Sequence, residues 1–317
     1  MPDCSRVLCA IDFSEPSRRV LDCALWWARR HGADVSVLHV HAVPVPTADE
    51  GSAPPPAHPA LTPDERSAHQ LEVERFVQQA RTDGVEIEVL LGEDVSIADA
   101  VVARADALAA DLVVVGAGTS PSSEHPSLGP ITAAVLRGAP CSVLVIPAPA
   151  ADVVNPGATG IKNVLCAVSF SEQSRPVLDA AVALAAGEAA HLSVVHVVEL
   201  SEVAALAYDF DAHREARLQP ACENLVALVA SAAGDKPVEE IVAQGSASRE
   251  ILKLAAEEST DLIVVGTGTM PRTPVGRPTA PAVAREARCP VLFVHAEPAA
   301  DVLLREPIPS ASTDYAP

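Results

Sequence analysis

The sequence predicts an α/β protein built from two tandem copies of one unit, each an open five-stranded parallel sheet covered by helices on both faces. Three observations carry this. The chain has 317 residues, room for two domains of about 150 residues. Segments of the first half recur in the second at an offset of 157: Val7-Leu8-Cys9-Ala10 as Val164-Leu165-Cys166-Ala167, Ser14-Glu15 as Ser171-Glu172, Val20-Leu21-Asp22 as Val177-Leu178-Asp179, and His39-Val40 as His196-Val197. Within each copy, short apolar runs alternate with segments of helical periodicity, which implies right-handed crossovers between parallel strands.

The elements follow in order. Arg6 to Ile11 is an apolar run suited to a buried parallel strand. Ser14 is placed to cap a helix whose apolar positions Val20, Leu21, Ala24, Leu25 and Ala28 share one face, and Gly32 ends it. Asp34 to His41 is the second strand. Thr62-Pro63-Asp64-Glu65 reads as a capping box that opens a helix running to about Arg81. Val85 to Leu91 is the third strand. A helix follows from about Ile97 to Ala109, then a strand from Leu112 to Val115, a helix from about Pro130 to Leu136, and a fifth strand from Ser142 to Ile146. The second copy places strands near 163–168, 191–197, 238–243, 262–265 and 290–294.

The repeat also sets the boundaries. Asp111-Leu112-Val113-Val114-Val115-Gly116 recurs as Asp261-Leu262-Ile263-Val264-Val265-Gly266 at an offset of 150, and Cys141-Ser142-Val143-Leu144 as Cys289-Pro290-Val291-Leu292 at 148. The falling offset locates extra length in the first copy, at a Pro-rich insertion over 44–61. Domain one is expected at 1–148, a linker at 149–160, domain two at 161–296, and a flexible tail at 297–317.

Composition excludes several classes. A hydrophobic share of 49% supports two buried cores, and with only 3% aromatics these are built from Ala, Val and Leu. A formal charge of −20, from 42 acidic against 22 basic residues, argues against nucleic acid and anionic membrane surfaces as partners. No run approaches the roughly 18 apolar residues of a membrane span, and no signal-peptide pattern opens the chain. Seven cysteines with no CxxC spacing read as small core residues of a reducing cytoplasm.

Ligands of open α/β sheets sit at the carboxyl ends of strands where the strand order reverses. Here those ends carry Asp12-Phe13-Ser14, Leu38-His39-Val40, and Gly116 followed by a loop to Gly129 and a helix. A glycine-bearing loop feeding a helix N-terminus is an anion cradle, because backbone N–H groups and the helix dipole both face the ligand.

These segments, with Ala139-Pro140-Cys141-Ser142-Val143-Leu144-Val145, resemble the universal stress protein family, once in each domain and over nearly the whole chain. The resemblance implies a Rossmann-like sheet of the adenine nucleotide alpha-hydrolase type, with the two domains packed as a pseudo-dimer through their last strands. It also implies a division between members that bind ATP and members that do not. The ATP-binding pattern is Gly, two residues, Gly, nine residues, Gly, then Ser or Thr. On this chain it places the nucleotide-binding set at Asp12, Val40, Gly116, Gly118, Thr119, Gly129, Ile131 and Thr132, for ATP with Mg²⁺.

The departures are specific. Thr119 stands where the second glycine belongs and adds a Cβ where backbone approaches phosphate. Pro130 stands at the Ser/Thr position and removes an N–H. The loop from Ser120 to Leu128 contains no Lys or Arg and includes Glu124. A missing donor costs about 1–3 kcal/mol. In the second copy Ser169 replaces the aspartate and Thr279 the third glycine. Gly276 is out of register, and Arg272 and Arg277 are the nearby cations; this copy reads as an eroded structural partner.

Two readings stay open. One is a cytoplasmic stress-response module holding ATP in domain one. The other is a nucleotide-free interaction protein acting through its pseudo-dimer surface, with intramolecular domain pairing in both and a homodimer also open. An enzyme on this fold rests on fold similarity alone. There is no P-loop, no nucleophile elbow, and only three lysines (Lys162, Lys236, Lys253), so any ATP hydrolysis is expected to be slow. His39 and His41 share a strand face and, with His58 or His69, would make a metal site; a structural role for the strand-end histidine is the simpler reading. Of the consecutive Trp26 and Trp27, at most one is expected to be buried.

Overall fold

The structure, a computed structural model, describes residues 4–43, 61–78, 85–118, 128–147, 160–199, 210–267 and 279–295. The first domain runs β1 (Arg6–Ile11), α1 (Glu15–His31), β2 (Asp34–Ala42), α2 (Pro63–Gln78), β3 (Ile87–Asp94), α3 (Ile97–Ala107), β4 (Leu112–Gly116), α4 (Pro130–Gly138) and β5 (Ser142–Ile146). The second repeats this as β6 (Asn163–Val168), α5 (Ser174–Glu188), β7 (His191–Val198), α6 (Phe210–Ala233), β8 (Glu239–Gln244), α7 (Ala247–Glu257), β9 (Leu262–Gly266), α8 (Thr279–Glu286) and β10 (Val291–Val294). The predicted Pro-rich insertion (but for Leu61), most of the linker and the predicted tail lie outside the described residues.

The strands form one ten-stranded sheet in the order β3-β2-β1-β4-β5-β10-β9-β6-β7-β8. Pairing is parallel within each domain. The junction is antiparallel, with Val291 opposite Val145, Leu292 opposite Leu144 and Phe293 opposite Val143. The last strands therefore join edge to edge, and neither leaves an unpaired edge at the centre of the molecule. Arg30 of α1 reinforces the junction by donating to the Glu188 carboxylate at 2.5 Å and to Gly187 O at 2.6 Å.

Two apolar layers cover the sheet. One face carries α1 and α2 of the first domain with α5 and α6 of the second, around Leu21, Trp27, Leu178 and Leu225. The other carries α3, α4, α7 and α8, around Val101, Val135, Ile251 and Val283. Trp27 is fully buried and Trp26 packs partly against the same layer. Five of the seven cysteines are buried, and none of the seven forms a disulfide. Burial pushes the Cys166 thiol up to about 12, so it packs as a neutral side chain.

Local chemistry explains most element ends. Thr62 N–H donates to the Glu65 carboxylate at 2.9 Å while Glu65 N–H donates back to Thr62 Oγ1 at 3.3 Å, so the capping box forms. Gly32 closes α1 in the left-handed region at φ 69°. Asp111 accepts the N–H groups of Ser5 and Arg6 at 2.8 and 2.9 Å, and Asp261 those of Lys162 and Asn163 at 2.7 and 2.9 Å. The recurring aspartate thus clamps the start of each first strand. Two expectations shift. Strand β3 runs to Asp94 because Gly92, Glu93 and Asp94 continue to pair with Val40, His41 and Ala42, polar residues being tolerated on an edge strand. Ser14 has the backbone geometry of a cap, but its hydroxyl makes no capping bond.

Candidate functional site

β1 and β4 are neighbours whose helices leave to opposite faces, so the crevice of the first domain opens between their carboxyl ends. Asp12 stands there, exposed. Its carboxylate accepts the Ser14 hydroxyl at 2.5 Å, the Ser17 hydroxyl at 2.6 Å and the Ser14 N–H at 3.0 Å. Ser17 in turn accepts the N–H of Asp12 at 3.1 Å. Desolvation pushes the carboxyl up, but these donors outweigh it and hold the group below the usual aspartate range. The Ser14 hydroxyl is therefore spent on Asp12 instead of the helix. Phe13 takes φ 60° to turn the chain between them.

Across the crevice the start and end of the glycine loop meet. Gly129 N–H donates to Ala117 O at 2.8 Å. Gly118 sits at φ 69°, and a Cβ there would lie 3.1 Å from Gly129 Cα. Only glycine fits such an approach without strain. The buried Thr132 donates its hydroxyl to Gly116 O at 2.7 Å. Of the first N–H groups of α4, Pro130 has none and that of Gly129 is used, which leaves those of Ile131 and Thr132 at the helix N-terminus. Val40 is buried at the end of β2. Asp12, Gly116, Gly118, Gly129, Ile131 and Thr132 thus gather at the ends of β1 and β4, with Val40 one strand away. His58, Thr119, Glu124, Arg272, Gly276 and Arg277 lie outside the described residues.

A feature missed in the sequence links the two domains. His39 Nδ1 lies 3.0 Å from Ile11 O and its ring packs on Phe13, tilted by 41°, with centroids 4.3 Å apart. His196 Nδ1 lies 2.9 Å from Val168 O and stacks on Phe170 at 3.9 Å, with Phe170 also at φ 58°. Each carbonyl accepts, so each Nδ1 donates and fixes the ring. The signal was available, since Phe13 and Phe170 keep the same offset of 157 as the two histidines.

What covers this pair differs. In the first domain α2 lays His69 over His39 at 6.0 Å and against His41 at 5.4 Å, and Phe76 edge-on to Phe13 at 6.0 Å. Burial, opposed by the bond to Ile11 O and aided by the neighbouring His69 and His41, lowers the pKa of His39. Among the described residues no three side chains converge in a way that would hold a metal ion. In the second domain the core pair Leu225 and Val229 of α6 matches Val73 and Val77 of α2 at an offset of 152. The same offset sets Ala221 where His69 stands. A cavity of about 700 Å³ opens there, bounded by Phe170, Gln173, His196, Ala221, Ile251 and Thr279. The space lies in the copy whose sequence looked eroded.

A sequence model described as the Universal stress protein family matches residues 4–147 and again 160–295. The chain belongs to the universal stress protein family. It is a tandem member, with two Usp domains of Rossmann-like α/β fold. Among solved structures, a universal stress protein from Archaeoglobus fulgidus is similar at a TM-score of 0.65 and 20% identity, over 92% of this chain and 97% of its own. A functionally unknown protein from Pseudomonas aeruginosa is similar at 0.60 and 18%, over 92% of each chain. A universal stress protein in complex with cAMP is 28% identical over 43% of this chain and 97% of its own, with a TM-score of 0.32. None of the curated proteins searched matches. Among the described residues no helix of this universal stress protein is long and apolar enough to cross a membrane.

Proposed function

We propose that this universal stress protein is a cytoplasmic stress-response module that binds an adenine nucleotide, ATP with Mg²⁺, in its first domain. The observation that carries the reading is the ionised Asp12 carboxylate at the strand-order reversal, beside the Gly116–Gly118 turn, Gly129 and the N-terminus of α4. Asp12 would accept hydrogen bonds from ribose hydroxyls or a base amino group. The backbone of Val40 would line the base. Gly116, Gly118, Thr119 and Gly129 would approach the phosphates, with the N–H groups of Ile131 and Thr132 facing their charge. Mg²⁺ would arrive with the phosphates.

A second reading, a nucleotide-free interaction protein, is favoured by one observation: the α4 end retains two donors, because Pro130 has no N–H and that of Gly129 is bonded to Ala117 O. Calorimetric titration with Mg-ATP separates the two. Binding is expected in the native protein, and Asp12→Ala should weaken it about tenfold, the loss of one charge-assisted hydrogen bond. No heat and no thermal shift at millimolar Mg-ATP would refute the nucleotide reading and leave the second.

A further inference from the structure

We infer that the N-terminal half of α2 is a cover over the first-domain crevice that mild acidification releases, through the ring cluster of His39, His41 and His69. This stands whether or not the first domain binds a nucleotide. Of residues 63–72 all but His69 and Gln70 are exposed, and Gln70 donates along the helix to Glu74 at 3.1 Å. The apolar docking of α2 lies further on, at Val73, Phe76 and Val77. His69 is therefore the main contact of this half with the sheet. Its ring lies parallel over that of His39, with centroids 6.0 Å apart and 10° between the planes, and edge-on to that of His41 at 5.4 Å. Arg66 pairs with Glu93 of β3, which also accepts the N–H of Leu61 at 3.0 Å, but the Arg66 side chain is 58% exposed and a pair so open to water holds weakly.

The contact suits uncharged rings. Nδ1 of His39 already donates to Ile11 O, so a second proton would sit on its Nε2. Nδ1 of His69 is buried and has no hydrogen-bond partner among the described residues. In a charged imidazole both nitrogens are donors, so a charged His69 would hold a buried N–H without an acceptor unless it moved out to water. Two charged rings at these distances would also repel. The carboxylates around the rings are bonded elsewhere: Glu65 accepts the Thr62 hydroxyl and N–H at 2.7 and 2.9 Å, Glu93 the Arg66 and Leu61 donors, and Asp12 its two serines. Glu72 favours the charged form of His39, but less than His69 opposes it, and burial, the largest influence, lowers the pKa. Arg18 of α1 is held at Phe76, 4.5 Å over the ring and donating to its carbonyl at 3.2 Å. The second domain lacks the cluster. At the offsets of the repeat Val198 stands for His41 and Ala221 for His69, and the matching Phe170–His196 face bounds a cavity.

The sign follows from linkage. The pKa of His39 is lowered while α2 is docked and returns toward its ordinary value of about 6.5 once uncovered, so docking is favoured above that value and loses ground below it. At about pH 5.5 one such histidine shifts the balance toward opening by up to about tenfold. The test is hydrogen exchange of the full chain at about pH 7.5 and about pH 5.5, corrected for the pH dependence of free amide exchange and read by mass spectrometry over amides 67–72 of α2, with amides 218–233 of α6 as internal control. The native protein should lose about tenfold in protection over 67–72 at the lower pH, with 218–233 unchanged. His69→Phe keeps a ring and cannot be charged, so it should retain most of that protection. Unchanged protection of 67–72 in the native protein, an equal loss over 218–233, or an equal loss over 67–72 in a His69→Phe protein that melts like the native one would each overturn the inference. The native comparison decides even if the variant fails to fold.

Discussion

Replacing Ser17 by alanine tests the electrostatics of the first-domain crevice directly. Ser17 is buried, donates to the Asp12 carboxylate at 2.6 Å and accepts the Asp12 N–H at 3.1 Å. A bond to a charged group contributes about 1.5 kcal/mol or more, discounted because Asp12 is exposed, and a neutral one about 1 kcal/mol. Ser17→Ala should therefore cost about 2 kcal/mol at pH 7. The second domain supplies an internal control. Ser174 is equally buried and accepts the Ser169 N–H at 3.3 Å, but faces no carboxylate, so Ser174→Ala should cost about 1 kcal/mol at any pH. The sign with pH follows from linkage. The folded pKa of Asp12 is lowered, so its stabilisation is fully present above the ordinary carboxylate value of about 3.9 and is lost as pH falls through the lower folded value. The cost of Ser17→Ala should shrink toward that of Ser174→Ala over that acid window. Urea unfolding by circular dichroism measures both. Trp26 and Trp27, the two tryptophans, both lie in α1 and report the first domain by fluorescence. Equal costs for the two variants at pH 7, or a Ser17→Ala cost that does not change with pH, would refute the assignment of Ser17 as the buried support of an ionised Asp12.

Two further outcomes are expected. Gly118→Ala must hold φ 69° and place a Cβ 3.1 Å from Gly129 Cα, whereas Gly32→Ala at the same φ has nothing within 4 Å; thermal melts should show about 1 kcal/mol for Gly32→Ala and at least about 1 kcal/mol more for Gly118→Ala. His69→Ala should uncover His39 and remove a neighbouring positive charge, so an NMR titration should find the His39 pKa moved up toward its ordinary value. Since a lowered histidine pKa favours the fold above the unfolded value of about 6.5 and ceases to do so as pH falls through the folded one, that variant should also lose less stability on mild acidification. An unmoved His39 titration would mean that α2 does not cover it.

Much of the molecule was legible because the information was local. The capping box at Thr62 and Glu65, the terminal Gly32 and the apolar strand runs need only neighbours in the chain to be understood, and each forms. Gly116 and Gly129 were legible through their spacing, whereas the packing of Gly118, one place off that spacing, against Gly129 was not. The fate of the Ser14 hydroxyl was not, because Asp12 competes for it once Phe13 turns the chain. Nor was the use of Gly129 N–H by Ala117 O, a contact made when the two ends of a loop close.

Alternation of apolar runs with helical segments, repeated twice, by itself determined two α/β units and the strand ends at which a ligand would sit, because hydrophobic periodicity and turn chemistry act over a few residues. That the last strands pair was implied by the family resemblance, but the antiparallel register that joins β5 and β10 into one ten-stranded sheet was decided by tertiary structure, since edge pairing depends on two strands 148 residues apart meeting. It also decided where a cavity forms in the second domain. Phe170, His196 and Ala221 come from β6's end, β7 and α6, and the absence of one side chain above a stacked pair leaves a space that no single segment of the sequence contains.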